Sequence, residues 1–231
     1  MKMRKKIAAL STAALLTLSV TGNVFAAGTP FKDLDNVTAK DMIVSLQYRG
    51  IVSGMSDGVF SPESKITAAQ SIQLFVGAFG LNLDTVRFIK EPKATDYFKK
   101  AKDNAWYSQA LIIGAVRGLD FPADIDPNRN LTREEYTYQL MTATEKYGQL
   151  PMINMMYLEY ADADQVKVEY SGAIQRALKY KIVKLDADGR FNPKAELTRA
   201  EAAEQMYNAL ELLKSNPYPP AAEPSAPDTA K

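Results

Sequence analysis

Residues 197–201 read Leu-Thr-Arg-Ala-Glu, and the same phrase returns as Leu-Thr-Arg-Glu-Glu at 131–135 and, weakened, as Ile-Thr-Ala-Ala-Gln at 66–70. Its threonines, Thr67, Thr132 and Thr198, stand 65 and 66 residues apart. A constant interval of that size marks three copies of one structural unit. Apolar residues then follow at steps of three and four: Ile72, Phe75, Val76 and Phe79; Tyr136, Leu140, Met141 and Ala143; Ala202, Met206, Ala209, Leu210 and Leu213. That period lays each set along one helix face. Threonine with Gln or Glu three places on is a capping box: the hydroxyl accepts the N3 amide proton and the N3 side chain accepts the cap's own amide. Thr67/Gln70, Thr132/Glu135 and Thr198/Glu201 all fit it.

Capping does not explain Arg133 and Arg199, which fall at the first helical position. The helix dipole is positive there and disfavours a cation by about 0.3–1 kcal/mol. An anion nearby resolves the conflict, since free amides and a guanidinium fork together make an anion site. A solvated arginine, or one paired with a neighbouring carboxylate, resolves it equally.

The first 26 residues carry Lys2, Arg4, Lys5 and Lys6, an apolar run over 7–20, and Val24-Phe25-Ala26. This is the pattern of a secretory signal with cleavage after Ala26 or Ala27. Its apolar core is short for a membrane span. Removing four of the 28 basic residues leaves 24 against 27 acidic ones, net −3. No basic field for nucleic acid or anionic membrane remains, so any grip on an anion must be local. With no cysteine in the chain, disulfides and lipid attachment at cysteine are excluded, and stability must come from packing. Residues 215–231 hold Pro217, Pro219, Pro220, Pro224 and Pro227 and are predicted to be disordered.

Unit one (31–83) opens at Phe31-Lys32-Asp33. Its first helix is predicted from Asn36 or Thr38, with Met42, Ile43 and Leu46 inward, ending at Gly50. Ile51-Val52 and the turn Asp57-Gly58-Val59-Phe60-Ser61-Pro62 lead into the capped helix. Unit three (160–214) answers it without gaps from its first helix onward: Ile174 for Ile43, Ile182-Val183 for Ile51-Val52, and Asp188-Gly189-Arg190-Phe191-Asn192-Pro193 for the turn. Lys181 replaces Gly50, so a different helix end is expected there. Tyr160-Ala161-Asp162 stands for Phe31-Lys32-Asp33, with a small register difference. Unit two (96–147) starts its first helix with Trp106 and Tyr107, ends it at Gly118, and replaces the Asp-Gly turn by residues 122–127. The junction 148–158 is rich in methionine (Met152, Met155, Met156), as core filler or as a partner surface. One such unit cannot bury its apolar face alone, and three are expected to close around a shared axis.

An aromatic-x-Asp opening, an amphipathic helix, Gly-Ile-Val, Asp-Gly-x-Phe-x-Pro, then Ile/Leu-Thr-Arg-Ala-Glu resembles the S-layer homology (SLH) module, over about residues 31–213. The resemblance implies an all-α fold: three helix-loop-helix SLH repeats in a pseudo-threefold, three-pronged bundle. It also implies a secreted cell-wall-binding module, attached non-covalently to anionic, pyruvylated secondary cell-wall polysaccharide through inter-repeat grooves. Carried onto this sequence, the implied glycan-binding residues are Arg133 and Arg199, Trp106 as the aromatic, the loop residues Asp57, Gly58, Asp188 and Gly189, and the opening aspartates Asp33 and Asp162. Trp106 fits a sugar-stacking ring or a buried helix anchor equally. Ala68 and Gln70 stand where unit one should have Arg and Glu, and unit two lacks the Asp-Gly turn. One or two competent grooves are therefore expected rather than three.

Other chemistry finds few parts. Fitting residues 184–195 to a calcium loop puts Lys184 and Ala195 where oxygen donors are required. Without His or Cys, the common nucleophile–base pairs and transition-metal sites cannot be built. Aspartates are plentiful enough for a two-carboxylate glycosidase, but they fall in turns where a structural role explains them. No enzyme activity, cofactor or metal is expected, and bacterial cell-wall polysaccharide is the expected partner. The alternative is a structural protein with decayed grooves that binds other surface proteins.

Overall fold

The computed structural model describes residues 29–150 and 157–216, and these form α-helices without a β-strand among them. The all-α expectation holds. In order they are α1 (Lys40–Tyr48), α2 (Ala68–Ala78), α3 (Ala94–Tyr97), α4 (Ser108–Arg117), α5 (Arg133–Gly148), α6 (Val168–Lys179) and α7 (Arg199–Ser215). The signal, Met152, Met155, Met156 and the proline-rich tail from 217 on lie outside the described residues.

All three capping boxes form. Thr67, Thr132 and Thr198 accept the amides of Gln70, Glu135 and Glu201, whose side chains accept the threonine amides at 3.1, 3.0 and 2.8 Å. The residues just before these caps tie the units together. Leu131 N–H donates to Ile66 O, Leu197 N–H to Leu131 O, and Ile66 N–H to Leu197 O, each at 3.0 Å. Three hydrogen bonds thus run head to tail in a closed ring.

The first helical amides of α2, α5 and α7 also reach across units. Ala68 donates to Arg129 O, Arg133 to Ala195 O and Arg199 to Ser64 O, at 2.9, 2.8 and 2.8 Å. The next amides donate to Pro127, Pro193 and Pro62 carbonyls. These donors have no partner within their own helix and would otherwise be orphans. The anion site of free amides considered above is thereby corrected, because neighbouring carbonyls have taken them.

Helix packing follows the same cyclic order. The first helix of each unit lies on the second helix of the preceding one: α4 on α2, α6 on α5 and, closing the circle, α1 on α7. The capped helices meet in the centre, where the Phe75 and Tyr136 rings pack edge to face with centroids 5.3 Å apart. The buried Tyr136 hydroxyl donates to Ala202 O at 2.8 Å, so the ring of units shares one core.

Three sequence expectations need correcting. α1 starts at Lys40 with Ala39 as an unassisted cap, because Asn36 and Thr38 are spent in tight turns closed by Val37 N–H to Leu34 O and Lys40 N–H to Val37 O. Trp106 and Tyr107 precede α4 rather than beginning it. Lys181 ends α6 as Gly50 ends α1: both are left-handed, φ 58° and 69°, and Ile182 donates to Ala177 O as Ile51 does to Leu46 O. Tertiary packing of Ile182 and Val183, both buried, holds a lysine where glycine is easier. A side chain in that region costs about 1–2 kcal/mol, against about 0.5–1 kcal/mol for glycine's extra unfolded-state freedom. Lys181→Gly is therefore expected to stabilise the protein by roughly 0.5 kcal/mol, read as a higher urea midpoint; a lower midpoint would contradict this balance.

Candidate functional site

The cyclic packing sets the first residue of each capped helix, arginine in α5 and α7, against the loop of the next unit, not its own. Arg199, from unit three, lies on the unit-one loop. Its Nε donates to Phe60 O at 2.9 Å and its Nη2 to Ser53 O at 3.1 Å, with Cζ 4.6 Å from the Phe60 ring centroid. It lines a cleft of about 350 Å³ with Gln70, Gln73, Ile51 and Val52. Burial brings the Arg199 pKa below the usual arginine range, and the Asp33 carboxylate offsets only part of that. Among the described residues Arg199 has no salt-bridge partner.

Arg133, from unit two, faces the unit-three loop in the same way, in a cleft of about 210 Å³. Here the guanidinium is paired: Nη2 sits 3.0 Å from Glu201 Oε1, and Cζ stands 5.9 Å from the Phe191 ring. Lys184 and Glu204 approach to 3.8 Å beside it. The neighbouring-carboxylate reading holds for Arg133 and fails for Arg199.

The third junction sets Ala68 of unit one against unit two. The buried Ile125 takes the place of the loop phenylalanine, two residues before the proline whose carbonyl receives the helix amide. Glu135 there is held by Arg129 at 2.8 Å. This junction offers neither the arginine nor the aromatic ring.

The opening aspartates act as loop clamps. Asp33 accepts the Phe60 and Ser61 amides at 2.9 and 2.7 Å, and Asp162 accepts those of Phe191 and Asn192 at 2.8 and 2.7 Å. Asp57 and Gly58 line a shallow depression that shares Gly50, Val52 and Ser53 with the Arg199 cleft. Asp188 is exposed on its turn beside Gly189. The turn is organised by Asp186, which accepts the Asp188 and Arg190 amides. Trp106 is 61 % exposed, against the buried-anchor alternative, and lines neither arginine cleft.

Sequence reasoning passed over Phe60, Ser53, Gln70, Glu201 and Asp186 as site residues. The constant offset between units one and three, from Thr67 to Thr198, pairs Gln70 with Glu201 and could have raised them. Nothing in residue order reveals that each arginine serves the next unit's loop.

The carboxylates predict a one-sided pH response. Asp33 feels burial, which raises its pKa, but the Phe60 and Ser61 amides and Arg199 bring it below the usual range. Glu135 is likewise pushed up by burial and brought below by Arg129. The amide of Arg190 lowers Asp186. A folded pKa below the unfolded one gives stability that is present above about pH 4 and lost as pH falls through the folded value. The chain has no histidine to titrate between. The melting temperature is expected to be level from about pH 5 to 8 and to fall below about pH 4; a slope between pH 5 and 8 would contradict this.

The S-layer homology domain profile matches residues 30–70 and 159–203, which lie in units one and three and flank the two arginine clefts. The surface-layer 125 kDa protein of Lysinibacillus sphaericus is 28 % identical over 224 residues, 94 % of this chain and 18 % of its own length. The exoglucanase XynX of Acetivibrio thermocellus is 29 % identical over 206 residues, covering 84 % of this chain and 18 % of its own. An amylopullulanase of Thermoanaerobacterium thermosulfurigenes is 29 % identical over 183 residues, 78 % of this chain and 9 % of its own. The chain thus spans less than a fifth of each of these relatives, and the two enzymes resemble it over a small part of their length.

Proposed function

We propose that this chain, which carries S-layer homology domains, attaches non-covalently to an anionic secondary cell-wall polysaccharide through the cleft between its third and first units. Such domains are non-catalytic, cell-surface anchoring modules, and the similarity to a surface-layer protein agrees with that. The sugar chemistry rests on one observation. Arg199 is held over an aromatic ring by two loop carbonyls and forms no salt bridge among the described residues, Asp33 acting on it only through space.

That arrangement suits a carboxylate-bearing sugar. The carbonyls of Phe60 and Ser53 aim the guanidinium fork, leaving Nη1 and the outer Nη2 proton to an incoming anion. The cleft walls lower the local dielectric and strengthen the pairing. Gln73 supplies an amide for ring hydroxyls, and Gln70 a neutral wall. Asp57 and Gly58 extend the surface along the shared depression, and Asp33 fixes the loop that presents them. The anion we assign is a pyruvate ketal on the glycan. In the second cleft Arg133 is already matched by Glu201, Asp188 and Gly189 sit on the adjoining turn outside its lining, Asp162 clamps the loop, and Trp106 offers an exposed ring away from both clefts. Export through the amino-terminal signal would deliver the chain to the wall.

The mature protein is expected to sediment with purified sacculi and to stay in solution when their polysaccharide has been stripped. Equal sedimentation with both would reject the reading. The decayed-groove alternative draws on the paired Arg133 and on the third junction, where Ala68 replaces the motif arginine and Arg129 is paired with Glu135, but not on the Arg199 cleft.

A further inference from the structure

From their first helices onward, units one and three correspond at an offset of 131 positions, Thr67 to Thr198 and Gly58 to Gly189. The part of the Arg199 cleft built by unit one can therefore be compared with the part of the Arg133 cleft built by unit three. Carboxylates stand in the Arg133 cleft at Glu201, Glu204 and Asp186. Their counterparts are Gln70, Gln73 and Met55, all neutral. Arg133 and Lys184 face three carboxylates, net −1, whereas Arg199 is the single charged residue lining its cleft, net +1.

The arginines respond to this difference. Arg133 leans to Glu201 and stands off from Phe191. Arg199, with a neutral residue at the matching place, settles 4.6 Å over Phe60 and donates to loop carbonyls instead. Gln70 makes no claim on it: its Oε1 accepts the Thr67 amide at 3.1 Å and its Nε2 turns to Met55 Sδ at 3.4 Å. We infer that the residue three places after the capping threonine of the facing unit decides whether a cleft admits an anion. Gln70 leaves the Arg199 cleft open to a carboxylate, and Glu201 closes the Arg133 cleft by occupying the carboxylate's place. Extended to the wall glycan, this rests on the reading proposed above and names the residue that sets its charge selectivity.

The test exchanges residues between units. Gln and Glu both complete the capping box in this chain, so Gln70→Glu and Glu201→Gln keep the helix starts. Calorimetry with released wall polysaccharide is expected to show affinity reduced about tenfold or more in Gln70→Glu, and a second equivalent of binding in Glu201→Gln. Carboxyl-reduced polysaccharide is expected to bind neither variant nor the parent. Methyl glucuronide, followed at the arginine Nε resonances of labelled protein, gives a readout independent of the wall. It is expected to shift Arg199 in the parent but not in Gln70→Glu, and Arg133 only after Glu201→Gln. A parent that ignores the polysaccharide while Arg199 answers the glucuronide would overturn the wall reading and leave the inference standing. No response at Arg199 in the parent, or the same response in Gln70→Glu, would overturn the inference.

Discussion

Arg199→Ala is expected to reduce retention on sacculi by about tenfold to a hundredfold, the loss of a charge-assisted contact worth about 1.5–3 kcal/mol. Arg133→Ala is expected to leave retention within about twofold, because its charge is already matched by Glu201 at 3.0 Å and a neutral pair has little left to offer an anion. The asymmetry separates a glycan role from a merely architectural one. Both arginines begin capped helices and both give their backbone amides to the next unit. Alanine keeps those amides, so the fold survives in both variants. Arg199→Ala also removes two hydrogen bonds to loop carbonyls that water can replace, a cost of about 1 kcal/mol to stability. Arg199→Lys is expected to recover only part of the binding, since one ammonium cannot satisfy Phe60 O and Ser53 O and also present a planar fork. Binding assays on sacculi with thermal unfolding of each variant settle the matter. Equal losses for Arg133→Ala and Arg199→Ala would contradict the assignment of the site to one cleft.

Much of the fold was legible in residue order because local rules govern it. Capping boxes, 3.6-residue periodicity and Gly50 or Gly118 after a helix are set by neighbours in sequence, and they appear where they were expected. Lys181 shows the limit of such reading: packing around Ile182 and Val183 imposes the left-handed turn whatever residue stands there. The site was half legible. Arg133 and Arg199 were conspicuous because helix electrostatics disfavours them, yet their opposite circumstances depend on residues brought in from another unit. Gln70 looked like a defect of unit one when read along the chain. In space it is the neutral wall that spares the cation of unit three. Cyclic exchange of helices makes each cleft the property of two units, so a motif that looks complete within one unit says little about which cleft can work.

The same exchange makes the loop clamps decisive for stability, and Asp162→Ala is expected to be among the most damaging single changes in the chain. Asp162 is 2 % exposed, and both oxygens hold amides some thirty residues away, Phe191 at 2.8 Å and Asn192 at 2.7 Å. Asn192 sits in the left-handed region, φ 59°, a conformation the clamp helps to pay for. Removing the carboxylate strips two charge-assisted bonds and leaves the buried Phe191 amide and the half-buried Asn192 amide without acceptors, about 3–5 kcal/mol in all. At about 2–4 °C per kcal/mol for a protein of this size, the melting temperature should fall by roughly 6–20 °C. Asp162→Asn keeps one acceptor and is expected to lose about half as much. Asp33→Ala, at the more open counterpart in unit one, should cost about 2 kcal/mol because water can reach the freed Phe60 and Ser61 amides. Calorimetric unfolding of the three variants checks the order. A loss below about 1 kcal/mol in Asp162→Ala would mean that burial of Phe191 holds the unit-three loop without the carboxylate. The clamp would then matter only for presenting Arg133's cleft, and its effect would move from the melting curve to the binding assay.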